Sequence, residues 1–376
     1  MMLPNECKAY VFEQEGGELR KGMRKLPQLK EYEVLIKVFA CSMNSTDDIG
    51  RYGLLPEVRY PNPPGACVVG KVVGCGQRVA SLESMGGGSK IREGSCVAGL
   101  PMYGGLSEYV VCDARLCCEP PKEWTHDKKL ALAACSHAWV GGRVHCAILR
   151  FCEQHERMSK SERELCEEKC REMGYKGEGV FAVYGEGGAA RLALDMLKAL
   201  REHESNKMMM HGSGKKCRIV LVTPTSKWSA EDYGMKKEDV LRCDKDNVAK
   251  ELKEMGGVWW VAATEMPSTR AIDHVLDAMR YNSQLVLLNP RRDHRLELPV
   301  GQLIARNISV CGAPLPQTHD LRQCLELCHR AHIKVSTHCV DFHNENEVRS
   351  AWRAVEEGNK FDAEIVEVCR FEDVMA

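Results

Sequence analysis

The stretch Val180-Phe181-Ala182-Val183-Tyr184-Gly185-Glu186-Gly187-Gly188-Ala189-Ala190 decides the fold. Its first five residues are an uninterrupted apolar run, short enough for a buried strand. The glycines follow at once, and an apolar helical pattern then runs to Leu200. The turn has the form G-x-G-x-x-A. Gly185 permits the tight reversal, and Gly187 lets the backbone approach a pyrophosphate. The small residue at 190 lets the helix pack on the strand with its N-terminus toward an anion. With a strand before and a helix after, the motif predicts dinucleotide binding at Gly185, Gly187, Gly188, Ala189 and Ala190. The plainer reading is a glycine turn in an α/β fold that holds no ligand.

Working outward, residues 178–312 alternate between strand and helix patterns. Strands are predicted at 180–184, 218–223, 258–263, 285–288 and 308–312, and helices at 191–200, 247–255 and 268–279. Such alternation means a doubly wound parallel sheet with helices on both faces. Two segments break it: a charged stretch at 151–176, read as a surface helical insertion, and a loop-like insertion at 203–216. Residues 7–120 are instead strand-rich and punctuated by glycine. Strands at 33–40, 66–74, 95–98 and 106–111 suggest a small barrel, with an exposed loop around Gly86-Gly87-Gly88-Ser89. The tail, 318–376, reads helix, strand, helix, strand. The predicted domains are 1–148 with 318–376, and 149–317 with both insertions.

The end of the second strand of the alternating half selects the cofactor. An Asp or Glu there bonds the ribose hydroxyls of NAD. Arg218-Ile-Val-Leu-Val-Thr223-Pro-Thr225-Ser226-Lys227 has no acid. Thr223, Ser226 and Lys227 offer hydroxyls and a cation, which suits a 2′-phosphate and favours NADP(H).

A chain of 376 residues is long for one core and accords with two domains. Its net charge of −1 gives no electrostatic case for nucleic acid or an anionic membrane. No apolar run reaches the roughly 18 residues of a membrane helix. The N-terminus enters a strand pattern almost at once, without a visible secretory or transit signal. The 20 cysteines are scattered and read as reduced, mostly buried thiols. Cys166 and Cys170, and Cys324 and Cys328 with His329 and His332, stand at helical spacing. Their pattern suits a helix face better than a metal site, so no metal is predicted.

The order of motifs resembles the medium-chain dehydrogenase/reductase superfamily. The matching residues are Glu33-Val-Leu-Ile-Lys-Val38, Pro64-Gly65 with Val69-Gly70-Lys-Val-Val73, Gly104-Gly-Leu-Ser-Glu-Tyr-Val-Val111 and the glycine turn. The resemblance implies a GroES-like β-barrel catalytic domain and a Rossmann domain. Zinc members carry a Cys where Asn44 stands and a His-Glu where Ala66-Cys67 follow Pro64-Gly65. The third ligand position, near Trp139, is also non-coordinating, and the cysteine-rich structural-zinc lobe is missing. The chain therefore resembles the zinc-free members. Among them it is most similar to mitochondrial trans-2-enoyl-thioester reductases. The likeness lies in Asn44-x-x-Asp47 with Tyr52-Gly-Leu-Leu-Pro-Glu57, in 148–154 and in 299–312.

That resemblance implies NADPH-dependent reduction of a 2-enoyl thioester carried by coenzyme A or acyl carrier protein. Tyr52 falls on the proton donor, and a phenol stays protonated at neutral pH and can act as the acid. Asn44 orients the nicotinamide or substrate, and Asp47 braces the loop. The bland alternatives are a rim tyrosine and a turn-stabilising asparagine. The resemblance further implies a homodimer through the sheet edge near 285–315 and a mitochondrial location; the N-terminus leaves the cytoplasm as the alternative. Three segments depart from the family. Thr223–Lys227 replaces phosphate-binding arginines. Leu288-Asn289-Pro290-Arg291 replaces a cofactor segment, leaving Asn289 in it and Arg291 or Arg292 to supply charge. Ala313-Pro314 replaces a bulky aromatic. Three readings stay open: an enoyl-thioester reductase, a zinc-free quinone or enone reductase, and a non-catalytic reductase-fold subunit with the insertions as partner surfaces.

Overall fold

The computed structural model describes residues 4–54, 58–82, 91–175, 177–203, 217–244, 247–264, 269–289, 296–358 and 361–375. The chain divides into two compact units, Met1–Gly142 with Leu315–Ala376, and Arg143–Pro314.

The first unit opens with an antiparallel ribbon, β1 (Glu6–Phe12) and β2 (Leu19–Lys25). The long β3 (Glu33–Met43) leads directly into a short helix, α1 (Ser45–Arg51). Strands β4 (Cys67–Cys75), β5 (Cys96–Gly99), β6 (Tyr109–Asp113) and β7 (Cys117–Cys118) follow. Helix α2 (Lys128–Ser136) then runs into a π-helical turn, His137–Gly141.

The second unit begins with α3 (Gly142–Glu156) and α4 (Lys160–Glu172). The charged stretch is thus helical, but α4 buries Cys166 and Cys170. Its Glu167 accepts from the buried Arg280 guanidinium at 3.0 Å. Then come β8 (Val180–Tyr184), α5 (Gly187–His203), β9 (Arg218–Thr223), β10 (Val240–Arg242), α6 (Val248–Glu254) and β11 (Val258–Ala263). Helix α7 (Thr269–Asp277), β12 (Met279–Leu287), α8 (Val300–Arg306) and β13 (Ser309–Gly312) complete it. The sheet is parallel throughout, in the order β10-β9-β8-β11-β12-β13. Counted within the unit this is 3-2-1-4-5-6, the doubly wound dinucleotide-binding order. Strands β8 and β11 are buried at every position, which explains their unbroken apolar sequences. The predicted helix 268–279 stops earlier, because Met279 already pairs with Val258 in the sheet. Strand β10 was not predicted. Most of the 203–216 insertion, the loop at 86–89 and residues 55–57 lie outside the described residues.

The chain then returns to the first unit through α9 (Thr318–Arg330), β14 (Thr337–Asp341), α10 (Glu345–Glu357), β15 (Ala363–Glu367) and α11 (Phe371–Val374). Strand β15 adds antiparallel to β3 and β14 adds parallel to β15, giving the sheet order β14-β15-β3-β4-β5-β7 with β6 also on β3. The core of this unit joins Tyr10, Phe12, Ile36, Val68 and Val110 to Phe342 and Trp352 of the tail. Among the described residues no helix is long and apolar enough to cross a membrane.

Candidate active site

In the first unit the site residues predicted between β3 and β4 are organised by α1. Asn44 is its N-cap: Oδ1 accepts from the Thr46 N–H at 3.0 Å, and the Asn44 N–H donates to Asp47 Oδ2 at 2.8 Å. This reciprocal pair is a capping box. Asp47 Oδ1 also accepts from the Gly65 N–H at 2.6 Å. Gly65 has φ of +106°, and a Cβ there would lie 2.5 Å from Cys41 Sγ and 2.6 Å from the Leu106 N. The Pro-Gly motif thus brings a backbone N–H against the helix where no side chain fits. Asp47 is buried, and desolvation pushes its carboxyl up to about 7 against the lowering effect of the two backbone N–H groups.

Tyr52 caps the other end of α1. Its Cε1 lies 3.1 Å from where a Gly16 Cβ would sit, and the Arg51 guanidinium lies 5.4 Å from its ring centroid. Arg51 is itself fixed, by donating to the Gly17 and Gly16 carbonyls at 2.7 and 2.9 Å and by an ion pair with Glu356. The sequence put Asn44 and Tyr52 on one loop; the capping box turns that loop into helix. The two residues stand at opposite ends of it, about 12 Å apart at 1.5 Å per residue. Asn44 Oδ1 is committed to the cap, whereas its Nδ2 is buried without an acceptor among the described residues.

The zinc-ligand positions hold other roles. Cys67 is buried in β4, Trp139 is buried in the π-helical turn, and His137 beside it bonds the Ile333 carbonyl at 3.1 Å through Nε2. Burial depresses the His137 imidazole to about 4. Cys324 and Cys328 are buried in α9, and His329 Nδ1 accepts from Trp124 Nε1 at 3.0 Å. Among the described residues no group of three or more His, Cys, Asp or Glu side chains is placed to hold a metal ion.

In the second unit the glycine turn sits between β8 and α5. Gly185 and Gly187 adopt φ of 140° and 71°, as the tight turn requires. Ala190, in the first turn of α5, is fully buried. The Gly187 N–H donates to the Tyr233 hydroxyl at 3.0 Å. The N–H groups of Gly188 and Ala189, in the first turn of α5, have no intrahelical acceptor. Small residues, positive φ and a 17-residue helix pointing its N-terminus at the turn fit a pyrophosphate.

At the end of β9 the hydroxyls predicted for a 2′-phosphate already have partners. Glu186 Oε1 accepts from Thr223 Oγ1 at 2.8 Å, from the Thr225 N–H at 2.7 Å and from Thr225 Oγ1 at 2.5 Å. Ser226 Oγ donates to the Asp244 carboxylate at 2.9 Å. The Lys227 ammonium lies 4.4 Å over the Trp228 ring. The hydroxyls predicted for a phosphate therefore serve carboxylates. Sequence reading missed Glu186, Tyr233 and Asp244; the one available signal was an acid between the first two glycines. Asn289 follows β12 and is half-buried, while Arg291 and Arg292 lie outside the described residues.

Residues 30–122 match the alcohol dehydrogenase GroES-like domain. The chloroplastic NADPH-dependent alkenal/one oxidoreductase of Arabidopsis thaliana is 32% identical over 129 residues, covering 32% of this chain and 32% of that protein. The trans-enoyl reductase tndF of Aspergillus flavipes is 31% identical over 116 residues, 30% of this chain and 33% of that protein. The chain thus spans about a third of the length of the curated relatives it matches. A quinone oxidoreductase structure from Pseudomonas syringae pv. tomato DC3000 superposes with a TM-score of 0.68 at 15% identity, covering 96% of this chain and all of that one, and so shares the fold. By its matched domain, its parallel sheet in dinucleotide-binding order and these likenesses, the chain has the GroES-like plus Rossmann fold of the medium-chain dehydrogenase/reductase superfamily.

Proposed function

We propose that the protein is an enzyme that reduces the polarised carbon–carbon double bond of an α,β-unsaturated carbonyl compound. The observation that carries the reading is the glycine turn at 185–190, set at the C-terminal end of the first strand of a 3-2-1-4-5-6 parallel sheet. A reduced nicotinamide dinucleotide, when bound, supplies hydride to the β-carbon. The relatives named as alkenal/one oxidoreductase and trans-enoyl reductase support this reaction class.

The chain's own residues divide the remaining work. Tyr52 gives a proton to the α-carbon, and Arg51 holds the ring at the helix end through the Gly16 and Gly17 carbonyls. Asn44 and Asp47 are positioning residues: they start α1 and tie its first turn to Gly65. The finer reading is a 2-enoyl thioester on coenzyme A or acyl carrier protein, reduced by a mitochondrial homodimer; it rests on the likeness of the 44–57 segment. The quinone and enone alternative shares every residue named so far.

Dinucleotide oxidation by the full chain, followed by absorbance with an enone, crotonyl-coenzyme A and a quinone in turn, tests the proposal. Enone turnover is expected, and crotonyl-coenzyme A turnover selects the thioester reading. Tyr52→Phe should lower the rate by about 10²–10⁴-fold while dinucleotide affinity stays unchanged. An undiminished rate removes Tyr52 from the reaction. Dinucleotide binding without turnover of any acceptor refutes the enzyme reading.

A further inference from the structure

Glu186 occupies the variable position between the first two glycines of the turn, yet it is 1% exposed. Its Oε1 gathers three donors, all from residues 223 and 225. The carboxylate therefore lies against the end of the second strand. In dinucleotide folds that strand end carries the acid that bonds the ribose hydroxyls. Here β9 ends in Thr223 and has no acid of its own.

We propose that Glu186 supplies, from the glycine turn, the ribose-recognising carboxylate that the second strand lacks, so that this domain selects NAD(H) over NADP(H). The inference rests on the dinucleotide reading above and narrows it. Among the described residues no hydrogen-bond donor reaches the buried Glu186 Oε2. A carboxylate only accepts; a ribose 2′-hydroxyl can donate to it, and a 2′-phosphate dianion cannot. Like charges brought together in a partly dry site also repel far more than in water. The hydroxyl donors that would offset such a phosphate are already committed, Thr223 and Thr225 to Glu186 and Ser226 to Asp244, and the Lys227 ammonium lies over the Trp228 ring. Asp244 adds a second carboxylate beside the same loop. The opposing cation by register is Arg242, which pairs with Thr223 across β10 and β9.

The test is equilibrium binding of NADH and NADPH to the full-length chain by nucleotide fluorescence and calorimetry, without any acceptor substrate. Wild type is expected to bind NADH at least tenfold more tightly than NADPH. Glu186→Gln keeps the side-chain shape and the Oε1 acceptor but removes the charge. It should bring the two affinities to within about threefold, mainly by tightening NADPH. Competition by 5′-ADP against 2′,5′-ADP reads the same preference at the adenosine end alone and does so on the unaltered protein. Equal or tighter NADPH binding by wild type overturns the inference and leaves the reductase reading standing. So does an unchanged affinity ratio in a Glu186→Gln protein that unfolds at the wild-type temperature. Binding of neither dinucleotide at millimolar concentration overturns the reductase reading and the inference with it.

Discussion

Asp47 should make the first unit less stable as pH rises through neutrality. Its carboxyl is raised from 3.8 to about 7 by burial. Between those values the folded chain keeps a proton that the unfolded chain has lost. The unfolded state then binds fewer protons, so stability falls with increasing pH. The contribution is complete below about pH 4 and is lost as pH climbs through 7. A shift of roughly 3 units at 1.36 kcal/mol each gives a total of about 4 kcal/mol. The perturbation is Asp47→Asn, which removes the titration. It also turns an acceptor toward the Asn44 or Gly65 N–H into a donor, at a pH-independent cost of about 1–3 kcal/mol. Urea unfolding of both proteins at several values between pH 4 and pH 8, followed by tryptophan fluorescence, isolates the titration, because the other groups cancel in the difference. The stability advantage of wild type over Asp47→Asn should shrink by about 1.4 kcal/mol per pH unit between about pH 4 and 7 and level off above it. A difference that is flat, or that grows with pH, refutes the account of Asp47 as a carboxyl dominated by desolvation.

His137 should produce the opposite slope. Its imidazole is depressed from 6.5 to about 4, so the unfolded state takes up the proton first and stability falls as pH drops from about 6.5 to 4, by about 3 kcal/mol; His137→Gln should abolish that loss in acid unfolding curves. Arg280 is 1% exposed, donates to the Gly256 carbonyl at 2.5 Å and stacks 4.1 Å from the Trp259 ring centroid. Arg280→Ala should therefore cost about 2–4 kcal/mol by leaving buried carbonyls without donors, measured as a lowered Tm.

The parts of the fold legible in sequence were those with a single physical cause. Val180–Tyr184, Ile219–Val222 and Val258–Ala263 are buried throughout, and an apolar run of four to six residues has few other uses in such a chain. Val240–Arg242 is too short to show a period, and its strand character comes from pairing with β9. The overrun of α7 has the same origin: Ala278 and Met279 continue a helical pattern, and sheet pairing overrides it. In the site, the glycines were readable because their backbone angles restrict the residue type. The partners of Thr223 and Ser226 were not, since a hydroxyl does not record in sequence whether it donates to a phosphate or to a carboxylate. Asn44-x-x-Asp47 is a capping box written with less common residues, and a seven-residue helix shows too little periodicity to reveal it.

The placement of β15 beside β3 has a consequence for biosynthesis. Met43 pairs with Glu364, about 320 residues later in the chain, whereas the unit Arg143–Pro314 is made from one unbroken segment. At roughly 5–20 residues per second, the edge of β3 waits about 15–60 s on the ribosome for its neighbour. The second unit can fold in that interval; the first, though begun earlier, is finished last. An exposed apolar strand edge held open for so long is a surface on which chaperones act. A frameshift or truncation after residue 358 would accordingly damage the domain whose sequence was translated first.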